Sequence, residues 1–300
     1  MSYRPLRNPH YDDVNVRGLR YRLTWWGEPS ATPIVLLHGF MDNGATWQFL
    51  VDKLPHGLSL VAPDWRGFGN SERAPGGYWF PDYLADLDAL LGLLSPQTPA
   101  RIIGHSMGAN IAQMYAGIRP GRVAWLVNLE GLGLPDSRTH DAPARYERWL
   151  NEIAQPAPER RFRSTSELAS LLVARNNRLS RDRAEFVARA WTRSRTAMRD
   201  DEDVELLFDP RHRRVNPILY RRQEAEACWR RVTCPVLLIA GDASTQARRE
   251  GANAELMEPH LQRLRRVTLA AVGHMMHHED PAAVATAISE FLDEHPIEAA

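Results

Sequence analysis

Residues Arg101–Tyr115 read RIIGHSMGANIAQMY, and the fold turns on them. A short apolar run leads into Gly104-His105-Ser106-Met107-Gly108, and from Met107 onward apolar residues return at helical spacing. A chain that passes from strand to helix within a few residues forces its apex into a strained backbone conformation. Only small neighbours fit two positions to either side, where Gly104 and Gly108 stand. Such a turn lifts the Ser106 hydroxyl clear of the sheet and aims the first N–H groups of the helix at the space beside it. The bare five-residue pattern arises by chance in roughly one chain in ten of this length, so its surroundings must decide.

Outward from the elbow, short apolar runs alternate with helical patterns. Upstream, Ile34–Leu37 is bounded by Pro33 and Gly39 and ends in His38-Gly39-Phe40; a run apolar on both faces suits a central parallel strand covered by helices. Thr46–Leu54 has helical spacing. A second run, Leu58–Ala62, ends in the tight loop Pro63-Asp64-Trp65-Arg66-Gly67-Phe68-Gly69-Asn70-Ser71, and Pro81–Leu94 reads as a helix with proline in its first turn. Downstream, the helix from Met107 to Ile118 precedes another buried-strand pattern, Val123–Leu129, that ends at Glu130-Gly131. Val14–Trp25 alternates around Arg17-Gly18 as an edge hairpin. Strand and helix alternating with short loops predict a doubly wound sheet whose ligands bind at the carboxyl ends of the strands.

At Leu134 the rhythm changes, and up to Arg231 the sequence shows helical signatures and no strand. Ser164-x-x-Glu167 is a capping box before Leu168, Leu171 and Leu172, Ser180 precedes a helix carrying Phe186, Ala190 and Trp191, and Asn216-Pro217 opens another through Trp229. Strand patterns resume at Val236–Ala240 and at Arg266–Val272, which leads into Gly273-His274, and a helix over Pro281–Leu292 closes the chain. The expected organisation is a core of residues 1–133 and 232–300, with residues 134–231 inserted as a helical cap.

Composition narrows the function. The 300 residues are 44% hydrophobic and 25% charged with a formal net charge of +0, ordinary for a globular enzyme and unsuited to a nucleic-acid surface. Lys53 is the only lysine among 37 basic residues, and arginine-rich stretches such as Arg211–Arg214 are interleaved with acids, so they read as solvated faces. The first residues carry no apolar signal and no run is long enough to span a membrane, which predicts a cytoplasmic protein. Cys228 and Cys234 are too few for a disulfide framework or a zinc site and are expected as free thiols; no metal or cofactor is implied.

The order His-Gly-Phe, Asp-x-Arg-Gly-x-Gly-x-Ser, Gly-His-Ser-Met-Gly, helical insertion and Gly-His resembles the α/β-hydrolase superfamily over nearly the whole chain. HGFMDNGATW, PDWRGFGNSE and GHSMGANIAQMYA are similar to serine hydrolase-like proteins and small bacterial carboxylesterases. The resemblance implies an α/β fold with a mostly parallel eight-stranded sheet flanked by helices, and a helical lid inserted after the sixth strand. It implies Ser106 as nucleophile and His274 as general base, because a serine hydroxyl needs an imidazole in reach to take its proton. It places the oxyanion hole at the backbone N–H groups of Phe40 and Met107. His277 and His278 compete with His274 by proximity alone, whereas His105 and His38 read as packing and loop architecture. Asp42-Asn43 reads as a helix cap and Asp64 with Arg66 as loop ties.

The acid departs from the pattern. Where many relatives carry Gly-x-x-Asp, this chain reads Gly241-Asp242-Ala243-Ser244-Thr245. Glu130, at the tip of the sixth strand, and Asp242, two residues early at the tip of the seventh, are the candidates. Trp47, Trp79, Trp149, Trp191 and Trp229 either line a cavity between sheet and cap or hold the cap down. The expected activity is hydrolysis of a small-molecule carboxylic ester, with no nucleic-acid or membrane partner. Carbon–carbon or amide hydrolysis by the same triad, and a non-catalytic small-ligand receptor on the same fold, remain alternatives; pattern does not fix the oligomeric state.

Overall fold

The computed structural model describes residues 3–30, 32–195, 202–245, 255 and 257–296. The hairpin comes first: β1 (His10–Val16) and β2 (Leu19–Trp26) pair antiparallel around Arg17 and Gly18, both at positive φ. Next come β3 (Ile34–Leu37), α1 (Gln48–Val51), β4 (Leu60–Pro63), α2 (Phe80–Leu94), β5 (Ala100–His105), α3 (Met107–Ile118) and β6 (Val123–Leu129). The segment that follows holds α4 (Ala142–Ala154), β7 (Arg161–Ser164), α5 (Thr165–Arg175), α6 (Arg181–Ala190), β8 (Thr192–Ser194), β9 (Glu202–Leu206) and α7 (Arg222–Trp229). The chain then supplies β10 (Val236–Gly241), β11 (Leu264–Leu269), the short helix α8 (Met276–Glu279) and α9 (Pro281–Glu294).

Eight strands form one sheet in the order β1-β2-β4-β3-β5-β6-β10-β11, antiparallel through the hairpin and parallel from β4 onward. Its central strands are buried on both faces because alternate residues feed two different cores. Val35, Leu37, Ile102, Leu126 and Leu238 pack with Leu87, Leu90, Leu91, Ile111 and Tyr115 of α2 and α3. Ile34, Leu36, Ile103, Val127 and Ile239 pack with Val284, Ile288 and Phe291 of α9. Burying an aliphatic side chain of this size contributes about 1.5–3 kcal/mol, so the unbroken apolar runs are what fix these strands in the middle.

Three expectations from sequence are corrected. The inserted segment is not all helix: β7, β9 and β8 form a three-stranded antiparallel sheet. Each strand is short and rich in arginine and glutamate, and only single residues such as Phe162 and Val204 turn inward, too few to show a period. The helix expected from Asn216 begins only at Arg222; the Asn216 side chain instead accepts the Ile218 N–H at 3.0 Å and its carbonyl binds Arg145, a local turn that competes with helix. The last strand is Leu264–Leu269, ending before Val272, so that residues 270–273 become the loop leading to His274.

The inserted segment lies over the carboxyl ends of the strands. Trp191 Nε1 donates to Asp42 at 2.9 Å, Arg183 to the carbonyls of His278 and Glu279, Tyr78 to Asp209, and Phe68 forms an isolated bridge with Phe208.

Candidate active site

Ser106 sits where β5 turns into α3, with φ 50° and ψ −112°, a conformation that costs a non-glycine residue about 1–3 kcal/mol. The turn is held by its surroundings: the Ser106 N–H bonds the Leu129 carbonyl of β6 at 2.8 Å, and its own carbonyl accepts the Asn110 N–H at 2.9 Å. A Cβ at Gly108 would lie 2.2 Å from the Leu37 carbonyl oxygen of β3, so no larger residue fits between α3 and the sheet. The loop after β3 presses in from the other side, where a Cβ on Gly39 would come within 3.2 Å of the Ser106 Cβ. Phe40 follows Gly39 in that loop, and the Met107 N–H belongs to the first helical turn, whose donors have no intrahelical acceptor.

His274 reaches Ser106 from the loop after β11. The Ser106 hydroxyl stands 3.0 Å from its Nε2, and its Nδ1 stands 2.7 Å from Glu130 Oε2. A carboxylate only accepts, so Nδ1 carries the proton and Nε2 keeps the lone pair that faces the serine. The His274 side chain is 23% exposed and that of Glu130 1%, so the hydroxyl and imidazole are accessible while the carboxylate is withdrawn from water.

Glu130 is placed by the strand junction. It follows β6 at φ 51°, and its Oε1 accepts the Gly241 N–H at 2.8 Å. Its Oε2 also accepts from Ser244 Oγ at 2.7 Å. Ser244, in the position of the Gly-x-x-Asp pattern, thus donates to Glu130. Asp242, the other candidate acid, is exposed and holds the turn before His274 by accepting the Ala271 N–H at 2.7 Å. It is not part of the hydrogen-bonded line. The supporting part of Ser244 was missed in the sequence because a lone serine after a Gly-Asp turn carries no signal of its own.

The other histidines weighed in the sequence, His38, His105, His277 and His278, are buried. His38 accepts the Trp65 N–H at Nε2 and donates from Nδ1 to the Gly39 carbonyl, so it is neutral, and burial pulls its pKa down from 6.5 to about 4. His105 packs within the elbow, and its Nε2 donates to the carbonyl of His274 at 2.9 Å. His277 and His278 point away from Ser106 towards Asp42, at 3.5 and 3.6 Å from its Oδ2. Asp64 accepts backbone N–H groups of Gly44 and Asn70, while Arg66 pairs with buried Asp86, as their loop requires.

A cavity of about 260 Å³ is lined by Phe40, Met107, Trp79, Tyr83, Trp149 and His212 among others, and reaches the elbow at Met107, the residue after Ser106. Of the five tryptophans singled out in the sequence, Trp79 and Trp149 line it; Trp47 and Trp229 are buried in the packed interior and Trp191 anchors the inserted segment to Asp42.

Known proteins place this fold. The chain is 35% identical over 132 residues to a serine hydrolase-like protein of Danio rerio, a match covering 43% of this chain and 40% of that protein. It is 27% identical over 282 residues to a serine hydrolase-like protein of Dictyostelium discoideum, covering 90% and 77%. Among solved structures, a thioesterase domain from the curacin biosynthetic pathway superposes with a TM-score of 0.80 at 24% identity, over 94% of this chain and 99% of that one. An esterase of Mycobacterium tuberculosis gives 0.73 at 19%, over 95% and 92%. Residues 34–287, which run from β3 into α9 and include Ser106, Glu130 and His274, match the family model described as alpha/beta hydrolase, and the chain belongs to that family.

Proposed function

We propose that the protein is a serine hydrolase that cleaves a carboxylic ester through an acyl-enzyme, with Ser106 as nucleophile, His274 as general base and Glu130 as the orienting acid. The observation that carries this reading is the line Glu130–His274–Ser106, at 2.7 and 3.0 Å. His274 takes the hydroxyl proton as Oγ attacks the ester carbonyl, then returns it to the departing alcohol; water repeats the cycle on the acyl-enzyme. Glu130 holds the imidazole in the tautomer that can accept and stabilises the imidazolium that forms. The Met107 and Phe40 N–H groups receive the oxyanion, each such donor being worth about 3–4 kcal/mol in the transition state. Residues 134–231 act as the cap, with Trp149 over a pocket whose floor is Met107 and Phe40, and an apolar group of the substrate occupies it.

The test is turnover of p-nitrophenyl esters of increasing acyl length. The wild-type protein is expected to hydrolyse the short and medium esters, and Ser106→Ala to lose about four orders of magnitude of kcat or more. Absence of turnover across the series, or equal turnover in Ser106→Ala, removes ester hydrolysis from the reading.

A further inference from the structure

Behind the elbow, on the side away from the cavity, four side chains from three separate parts of the chain converge without hydrogen bonds to complete them. Asp42 comes from the loop after β3, His105 from the last position of β5, and His277 and His278 from α8. All are buried, with exposures of 3%, 1%, 0% and 2%. Asp42 Oδ2, His105 Nδ1, both ring nitrogens of His277 and His278 Nε2 lack a partner. One donor atom from each of Asp42, His105 and His277 lies within 4.8 Å of the others.

The protonation states can be read from the partners. A carbonyl only accepts, so His105 Nε2 must carry hydrogen to bond His274 O, and in the neutral ring its Nδ1 keeps a lone pair, with the ring centroid 4.4 Å from that of His277. Asp42 Oδ1 is engaged by Thr46 Oγ1, the Asn43 N–H and Trp191 Nε1, which fixes the carboxylate and leaves Oδ2 turned to the histidines. His277 leans on Trp47, with ring centroids 4.8 Å apart and the planes tilted by 34°. An unsatisfied buried polar atom costs about 1–3 kcal/mol and a carboxylate more; Asp42 Oδ2 faces the Nε2 atoms of His277 and His278 only at 3.5 and 3.6 Å, and an electron-poor centre that takes a lone pair from each side chain would complete them all.

We propose that Asp42, His105, His277 and His278 form a buried site for one divalent transition ion of the zinc class. The donor set, imidazole nitrogens with one carboxylate oxygen, is what such ions select. Tetrahedral zinc with bonds of about 2.0–2.2 Å sets its donors roughly 3.3 Å apart; Asp42 Oδ2 already lies 3.5 and 3.6 Å from the Nε2 atoms of His277 and His278. Thr46, Asn43 and Trp191 on the carboxylate, and the His274 carbonyl on His105, are the outer bonds that orient metal ligands. The ion ties the loop after β3, β5 and α8 together. Through His105 it braces the backbone of His274, a consequence for hydrolysis that rests on the function proposed above; the binding itself does not. The sequence gives no hint of the site, because residues 42, 105 and 277 are far apart and no cysteine takes part.

The experiment uses the full chain, stripped with a chelator, loaded with zinc chloride and desalted, with zinc and protein then quantified. One zinc per chain is expected in the wild type and in His274→Ala, with affinity reduced about tenfold or more in Asp42→Asn and His277→Gln. Cobalt(II) loading should give the visible absorption of a tetrahedral site in the wild type, weakened in His277→Gln, and zinc should raise the wild-type melting temperature. These two wild-type readouts stand even if a variant fails to fold. A wild type that leaves the column without zinc and shows no cobalt band overturns the proposal. So does undiminished binding in both Asp42→Asn and His277→Gln, or loss of the ion in His274→Ala, which would put it in the hydrolytic site.

Discussion

At the scale of single residues, the site turns on one exchange. Glu130 at the end of β6 holds the His274 imidazole, and Ser244, at the place after β10 where the resemblance leads to an aspartate, is a donor to it. Glu130→Gln keeps the shape but offers an amide where the carboxylate stood, favouring the wrong histidine tautomer; kcat on p-nitrophenyl esters should fall by about 10³–10⁴-fold with the fold intact by circular dichroism. Ser244→Ala removes one hydrogen bond to a carboxylate that keeps those from Gly241 and His274, so its loss should be far smaller, about tenfold. Asp242→Asn, at an exposed carboxylate that accepts the Ala271 N–H of a turn, should leave kcat within about twofold. A Glu130→Gln enzyme as active as Asp242→Asn would contradict the assignment. Ser106 and His274 were legible in sequence because each sits in a short pattern with steric meaning. The acid was not, since Glu130 and Asp242 both end apolar strands, and only the three-dimensional junction of β6, β10 and the His274 loop separates them.

Among the elements, the β5–α3 elbow stores strain that serves the nucleophile. Because Ser106 holds a positive φ that glycine adopts freely, Ser106→Gly should be more stable than Ser106→Ala by about 1 kcal/mol in urea unfolding, although both are inactive. Equal stabilities would mean that the turn carries no such strain. Gly108→Ala should destabilise by about 1–3 kcal/mol or more, because its methyl meets the backbone of a central strand and not a movable side chain. These elements were readable because strand, glycine-flanked turn and helix agree with one another locally. The small sheet of β7, β8 and β9 was unreadable for the opposite reason: RFRS and TRS are polar and each too short to express a period, and they are strands only because they pair with β9.

For the whole molecule, the covered carboxyl edge of the sheet concentrates neutral, buried histidines, and stability should follow their titration. Burial lowers His38 to about 4, His212 to about 3 and His278 to about 3. The unfolded chain therefore binds these protons first, so stability is full above pH 6.5 and declines as pH falls towards 4. His38 alone accounts for on the order of 3 kcal/mol across that window. Burial also raises the Asp64 carboxyl to about 6, which acts in the opposite direction as pH falls, so the test is the comparison with His38→Gln: urea midpoints from pH 7.5 to 4.5 with chelator present should fall less, or rise more, in the variant than in the wild type, and identical profiles would contradict the burial of His38 as a neutral base. The α/β layering and the order of the parallel strands were visible in the sequence, whereas the cavity was not, because its walls come from residues as distant as Phe40, Trp149 and His212. The central claim is that this layering exists to present one activated serine. Labelling with a fluorophosphonate, followed by peptide mass analysis, tests it most directly: the account predicts a single adduct on Ser106, absent in Ser106→Ala and greatly slowed in His274→Ala. An unlabelled protein, an adduct on another residue, or labelling of Ser106 at the same rate without His274 would contradict it.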